Sequence, residues 1–229
     1  MNINFIMKCK IIVIILIVEL FISMGIVVSA YDGKEILNGY IIYVDAGHGG
    51  NDNGAYNNDV FEDSINLNIS KLLVKDLLDK GAYVYTSREG DYDLANVYDK
   101  NRKNKDLKRR VDLINHIKPN IFLSIHLNTF PNENVKGGQV FYQNNENSKL
   151  LANYLQDELN YLSKKSKKPK LGDYYLLNKT TVTGVIVECG FLTNSEDLSN
   201  LVKEEYQEKM VKTISKGIFN YFKNNSAII

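Results

Sequence analysis

The sequence predicts a single α/β domain with a mostly parallel twisted sheet of about six strands, flanked by helices on both faces. Short apolar runs of strand length alternate along the chain with longer amphipathic segments, which is the pattern of βαβ crossovers. The chain has 229 residues, of which 44% are hydrophobic and 24% charged, enough for one full core. No internal repeat or long linker divides it.

The elements follow in a definite order. We expect strands at residues 40–45, 82–86, 121–125, 139–142, 174–177 and 185–188. We expect helices at residues 62–80, 104–118 and 146–162, and a last helical region at 195–222. Gly81 ends the first helix and Pro119 ends the second. The lysine-rich residues 164–170 are expected to form a loop.

The N-terminal residues indicate export from the cytoplasm. Lys8 and Lys10 precede an apolar run over residues 11–28, and the small residues that follow resemble a cleavage site. The run is near the length of a spanning helix, and Glu19 within it costs about 2–3 kcal/mol, which does not forbid insertion. We expect a signal peptide or membrane anchor at 1–30, a linker at 31–38, the folded domain at 39–223 and a tail at 224–229.

Charge and cysteine content exclude other classes. The formal net charge is +1, and removing Lys8, Lys10 and Glu19 with the N-terminal segment leaves it near zero. A nucleic-acid partner would call for a strong basic excess, so none is expected. Cys9 lies in the N-terminal segment and Cys189 follows an apolar run, so no disulfide is expected.

Side chains able to carry out chemistry follow three of the predicted strands. His48 lies in a glycine-rich turn after the first strand, His126 closes the third, and Glu188 closes the last. In open α/β sheets, ligands bind beyond the carboxyl ends of the strands. Two histidines and a carboxylate suit a zinc ion, and a further carboxylate suits the general base that such an ion needs. The sequence therefore predicts a zinc hydrolase.

Glu62 supplies another carboxylate. Helix geometry places it on the same side as Ile65 and Ile69, which is the buried face. A buried carboxylate needs a partner or a metal, and Asn66, one turn further on, could support it. The same geometry turns His116 to solvent, so we do not expect it to be a ligand.

Three further residues are candidates for supporting the site. Asp45 could orient the glycine-rich loop or the His48 ring. Arg110 faces the sheet and is expected to be a buried hydrogen-bond donor or ion-pair partner. Asn128, two residues after His126, could contact substrate. Strand alternation turns Cys189 away from the site, as a buried core residue.

Taken singly, the four main site residues have purely structural explanations. His48 could be polar surface in a turn, and His126 a satisfied core histidine. Glu62 could be a carboxylate favoured by the helix dipole, and Glu188 a strand-end residue that caps a loop. The combination of the four favours chemistry over these alternatives.

Together these residues resemble the family 3, zinc-dependent N-acetylmuramoyl-L-alanine amidases, over nearly all of residues 39–223. The matching segments are residues 44–50, Glu62 with Asn66, residues 86–88, Arg110, residues 124–128 and residues 187–194. The resemblance implies one zinc ion held by His48, Glu62 and His126, with Glu188 as the catalytic glutamate. It implies that an amidase catalytic domain at 39–223 cleaves the amide between N-acetylmuramic acid and L-alanine of the stem peptide. A single short catalytic domain behind an N-terminal anchor resembles the spore-cortex, germination-specific subgroup, which prepares muramic-δ-lactam in spore peptidoglycan.

The resemblance also implies a location and partners. Peptidoglycan is the expected substrate, and the expected location is extracytoplasmic, secreted or membrane-anchored facing the wall, or the forespore intermembrane space. The sequence carries no wall-binding module, so we expect the anchor or an extracytoplasmic protein partner to localise or activate the enzyme. Residues 128–137 are too few for the inhibitory helix of many cell-division members, which predicts an open groove.

Two other functions stay open at this point. One is a different zinc amide hydrolase, such as a peptidase that acts within the stem peptide. The other is a non-catalytic wall-binding protein with a vestigial site, against which the presence of all four side chains argues.

Overall fold

The computed structural model describes residues 37–225. The segment expected to be a signal peptide or anchor, at residues 1–30, lies outside the described residues, as do most of the linker and of the tail. Among residues 37–225, no helix has both the length and the apolar character needed to span a bilayer.

A six-stranded sheet forms the centre of the domain. Its strands are β1 (Ile41–Ala46), β4 (Tyr83–Thr86), β5 (Ile121–Asn128), β6 (Gln139–Tyr142), β7 (Lys170–Leu171) and β8 (Gly184–Phe191). Their order is β4-β1-β5-β8-β6-β7, and every neighbouring pair is parallel except β6 and β8. Two short strands, β2 (Tyr56–Asn57) and β3 (Val60–Phe61), form a separate hairpin. The predicted six-stranded, mostly parallel sheet is confirmed.

Helices cover both faces of this sheet, as predicted. They are α1 (Glu62–Asp79), α2 (Arg102–Ile117), α3 (Glu146–Ser163), α4 (Tyr175–Lys179), α5 (Ser195–Leu201) and α6 (Glu204–Asn225). The apolar sides of α1, α3, α5 and α6 pack into the main core on one face. The apolar sides of α2 and α4 form a smaller core on the other face.

Strand alternation places the polar residues of the central strands on the second face. Ile42 and Val44 of β1 point into the main core, and Tyr43 points into the smaller one. Continuing the alternation puts Asp45 on the side of α2, and Ser124 of β5 is its register partner. Asp45 and Ser124 therefore lie side by side on the face covered by α2.

The prediction of a strand at residues 174–177 is wrong. Residues 175–179 form the short helix α4, and the sixth strand is the adjacent Lys170–Leu171, inside and just beyond the segment expected to be a loop. Leu176 and Leu177 are both buried in the smaller core. A strand would send consecutive side chains to opposite faces, whereas a helix turns them only about 100° apart. Periodicity cannot decide between these in so short an apolar run.

The last helical region and the central strands also differ in detail from expectation. The region expected at 195–222 consists of two helices, interrupted at Val202 and Lys203. The side-chain amide of Gln207 donates to the carbonyl of Leu201 at this break. β5 and β8 continue beyond His126 and Glu188, so both side chains lie within strands rather than at their last residues.

Close contact between β5 and β8 predicts that Gly184 tolerates no side chain. A Cβ atom there would lie 1.7 Å from Cε1 of the buried Phe122 ring on the paired strand. We expect Gly184→Ala to lower the free energy of unfolding by about 2–3 kcal/mol, measured by urea denaturation. Adding Phe122→Leu should recover part of the loss. Gly90→Ala, which meets only the Tyr92 ring at 3.2 Å, is the control. An equal loss in the control would contradict the packing explanation.

Candidate metal centre

Three side chains from separate segments converge at the carboxyl end of the sheet. His48 lies in the loop after β1, Glu62 is the first residue of α1, and His126 is on β5. One nitrogen or oxygen atom from each lies within 4.8 Å of the other two, and residues 37–225 contain no other such group of three. Glu62 Oε1 lies 3.3 Å from His48 Nε2 and 2.9 Å from His126 Nδ1. The predicted set of candidate ligands is therefore brought together.

Glycine allows the loop to bring His48 into this position. A Cβ atom on Gly47 would lie 2.3 Å from Cε1 of the His126 ring, so the loop backbone passes directly against that ring. His48 itself has a φ of 60°, in the left-handed region that most residues avoid. Gly54, further along the loop, would place a Cβ 2.6 Å from Glu62 Oε2.

Hydrogen bonds from several segments fix the Glu62 carboxylate. Its Oε1 accepts from the backbone N–H of Leu127 at 3.1 Å and from Asn66 Nδ2 at 3.2 Å. Its Oε2 accepts from the backbone N–H of Ala55 at 2.9 Å. The side chain is on the buried face of α1, as predicted, and Asn66 supports it from one turn away.

The two histidines stabilise the charge on this carboxylate. Burial opposes ionisation of Glu62, but its hydrogen bonds with His126 and His48 outweigh burial and hold its pKa well below the usual range. The site therefore presents an ionised carboxylate between two imidazoles, which suits a divalent cation.

Asp52 orients the His48 ring, a role that the sequence analysis did not assign. Asp52 Oδ2 lies 3.0 Å from Nδ1 of His48, the nitrogen turned away from Glu62. Burial lowers the pKa of His48, but the bonds to Glu62 and Asp52 outweigh it and raise the pKa to about 8. Carboxylates commonly hold metal-binding histidines in this way. An acidic residue four positions after His48, within the glycine-rich turn, is the signal that could have found it.

Glu188 lies next to His126 across the β5–β8 pair. Its side chain is buried, and its Oε2 atom has no hydrogen-bond partner among the described residues. Burial raises the pKa of Glu188 to about 7, partly offset by His126 and reinforced by Glu62. A carboxyl group that titrates near neutral pH can both accept and release a proton.

His48, Glu62, His126 and Glu188 line a cavity of about 380 Å³. Asn128 lies on its wall, and Tyr174, Tyr175 and Lys103 also line it. No helix interrupts residues 129–138, all of which are described, so the connection between β5 and β6 carries no inhibitory helix. The donor set of two imidazoles and a carboxylate, with an unpartnered carboxylate oxygen alongside, fits a zinc ion.

Comparison with known proteins identifies the family. The profile of the N-acetylmuramoyl-L-alanine amidases matches residues 42–220, most of the chain. The chain belongs to this family. The germination-specific N-acetylmuramoyl-L-alanine amidase of Bacillus subtilis is 40% identical over 193 residues, which cover 81% of each chain.

Solved amidase structures share the fold. The CwlD amidase from Clostridioides difficile, in complex with the GerS lipoprotein, superposes with a TM-score of 0.78 at 35% identity, covering 81% of this chain and 99% of that one. An N-acetylmuramoyl-L-alanine amidase from Clostridium difficile 630 gives 0.71 at 29% identity, covering 81% and 98%. The expected α/β fold and the assignment to the cell-wall amidases are confirmed. Homologues that act on the cell wall imply action outside the cytoplasm.

Asp45 and Arg110 of this amidase form a buried ion pair beneath the site. Arg110 Nη1 lies 2.6 Å from Asp45 Oδ1, and Nη2 donates to the carbonyl of His48 at 2.7 Å. The Ser124 hydroxyl donates to Asp45 Oδ2 at 2.5 Å, and Asp106 binds Arg110 Nε at 2.8 Å. Through Arg110, Asp45 thus supports the loop that carries His48, which is one of the two roles expected for it. The other role, orienting the His48 ring, is filled by Asp52.

The remaining predicted residues lie in the cavity wall, on the surface and in the core. Asn128 is half-buried in the cavity wall, where its side-chain oxygen accepts from the backbone N–H of Thr129 at 2.8 Å. His116 is exposed on α2. Cys189 is buried in the main core, on the opposite side of β8 from Glu188.

The buried pair predicts a pH-dependent cost for Asp45→Asn. Burial opposes ionisation, but Arg110 and Ser124 outweigh it and hold the pKa of Asp45 below its usual value. Removing the charge leaves Arg110 poorly compensated, and we expect a loss of about 3 kcal/mol at pH 7 by thermal or urea unfolding. The contribution is full above the unfolded pKa of about 4 and is lost as the pH falls through the folded value.

Asp112→Asn is the matched control, because Asp112 pairs with Lys108 of the same helix in solvent. It should change stability little. Similar losses in the two variants would contradict a special role for the buried pair.

Proposed function

We propose that the chain is a zinc-dependent hydrolase of the amide between N-acetylmuramic acid and L-alanine of the stem peptide. In this proposal His48, Glu62 and His126 hold one zinc ion, and Glu188 is the catalytic glutamate. The observation that carries the proposal is the convergence of those three side chains beside the unpartnered Oε2 of Glu188. Three protein ligands leave a fourth position for water or substrate, which is the pattern of catalytic zinc sites.

The protein groups divide the chemistry between them. A bound zinc ion would act as a Lewis acid on the scissile carbonyl and the attacking water. Glu188 would accept a proton from that water and deliver it to the leaving amine of L-alanine. Asp52 would keep the His48 ring oriented, and the open cavity would admit the glycan-linked peptide.

The proposal predicts that Glu188→Gln strongly reduces catalysis without removing the metal. The amide cannot accept the proton, so we expect activity on peptidoglycan to fall by about 10²–10⁴-fold while the zinc content stays at the wild-type level. Mass spectrometry of the digest measures the reaction as release of a free lactyl carboxyl on muramic acid. Glu196→Gln, at an exposed glutamate paired with Lys136, is the control and should keep full activity.

The same digest separates the amidase from a stem-peptide peptidase. Intact lactyl-alanine with shortened peptides would defeat the amidase assignment. Unchanged lysis by Glu188→Gln would show that the assigned mechanism is wrong.

Zinc affinity is expected to depend on pH through His48. The pKa of this histidine is raised to about 8, so below that pH zinc must displace a proton from the ring. We expect the zinc dissociation constant to rise by about tenfold for each pH unit below 8 and to level off above it. Competition with a chromogenic chelator between pH 6 and 9 measures this. A flat profile would contradict His48 as a ligand.

We further propose a role in the spore cortex, where this amidase would prepare the muramic-δ-lactam of spore peptidoglycan. The 40% identity with the germination-specific amidase supports this role. The catalytic domain would comprise residues 39–223 behind an N-terminal signal or anchor, in the forespore intermembrane space. Deletion of the gene should remove muramic-δ-lactam from spore cortex digests, and cortex with normal lactam would exclude the role.

We also propose that an extracytoplasmic protein partner localises or activates this amidase. The structural relative CwlD was solved in complex with a lipoprotein, which supports a partner of that kind. Purified residues 31–229 that hold stoichiometric zinc and digest their substrate unaided would remove the need for one.

A further inference from the structure

Arg88 is a buried arginine whose hydrogen bonds end on the backbone. It follows β4, and its side chain is 2% exposed. Within residues 37–225 its guanidinium donates four hydrogen bonds to main-chain carbonyls. Nε binds Ala46 at 3.0 Å and Nη1 binds Gly90 at 3.0 Å, while Nη2 binds both Gly47 at 3.0 Å and Asp63 at 2.8 Å.

The two carbonyls bound by Nη2 lie next to two candidate metal ligands. Gly47 immediately precedes His48, and Asp63 immediately follows Glu62. One nitrogen atom therefore joins the loop that carries the histidine to the helix that carries the carboxylate. Since the bonds measure 3.0 and 2.8 Å, the two backbone segments cannot separate without breaking one of them.

We infer that Arg88 is a positioning residue that sets the distance between His48 and Glu62 and so prepares the site for its metal. The inference rests on the proposed zinc site. His48 has a left-handed φ in a glycine-rich loop, and the paired backbones of Gly49 and Asp52 support this turn from its C-terminal side. Bonds to the two preceding carbonyls, of Ala46 and Gly47, restrain it from outside.

Arg110 and Asn66 also bind the loop that carries His48, but their hydrogen bonds differ from those of Arg88. Arg110 binds the carbonyls of Ala46 and His48 but touches neither Glu62 nor its neighbours in the hydrogen bonds it forms. Asn66 does span the two segments, donating to Gly47 O at 3.3 Å and Glu62 Oε1 at 3.2 Å, but through longer bonds. A lysine at position 88 lacks the planar guanidinium, so it could not bind the four carbonyls that Arg88 binds.

The first test compares zinc affinity in the wild type and Arg88→Lys. We expect the dissociation constant, from competition with a chromogenic chelator, to rise by about 10–100-fold. The visible absorption of the cobalt-substituted protein should also shift, because the ligand geometry is loosened. Equal zinc affinity and equal cobalt spectra would overturn the inference. Failure of the wild type to bind zinc would instead defeat the proposed function.

Arg109→Lys is the matched control. Arg109 also binds a backbone carbonyl, that of Leu94 at 2.8 Å, and pairs with Asp99, but it contacts neither ligand segment. It should leave zinc affinity and the cobalt spectrum unchanged. A comparable loss in this variant would show that the effect does not depend on the bonds to the two ligand segments, and would overturn the inference.

Chemical rescue separates positioning from general support of the fold. Arg88→Ala should bind zinc weakly, and methylguanidine should restore affinity by occupying the vacated space. The same additive should not affect Arg109→Ala. Loss of affinity that methylguanidine does not restore would count against the inference. Variants that remain unfolded with and without it would mean that Arg88 serves the whole fold, which would also overturn it.

Discussion

The carboxylate of Glu62 links the loop after β1, strand β5 and helix α1 at the candidate metal site. It accepts hydrogen bonds from the loop at Ala55 and from strand β5 at Leu127, and it lies against both histidines. A buried carboxylate is costly unless its partners are in place, so helix α1, the loop and β5 must reach their positions together. The same atoms that satisfy Glu62 also define the donor set for a cation. Stability and the proposed metal binding therefore depend on one arrangement.

Beneath this carboxylate, two buried arginines hold the loop that carries His48. Arg110 forms ion pairs with Asp45 and Asp106, and it also donates hydrogen bonds to the backbone carbonyls of Ala46 and His48. Arg88 binds the loop and the first turn of α1. The loop is rich in glycine because its backbone must pass against the His126 ring, and glycine alone would leave it free to move. The guanidinium groups add to the restraint from the loop's own backbone bonds, between Gly49 and Asp52 and from Gly47 to Ile125.

Much of the site was predictable because its residues follow strand and helix periodicities. The predicted strand ends put His126 and Glu188 at the carboxyl edge of the sheet, and helix geometry put Glu62 on the buried side. The position of Asp52 beside His48 was not predicted, since a residue in an irregular turn has no period to follow. The apolar run of the short helix α4 is too short for either period to show, so the sequence predicts a strand there.

The sequence by itself determined the fold class, the main strands and helices, and the four residues proposed for the chemistry. These depend on local pattern, on which residues can be buried and on which ligands suit zinc. Only the tertiary structure decided how Arg88, Arg110 and Asp52 act, because their partners are carbonyls and rings brought near by folding. A backbone carbonyl has the same chemistry at every position. Which one an arginine binds is therefore set by where the chain passes in space.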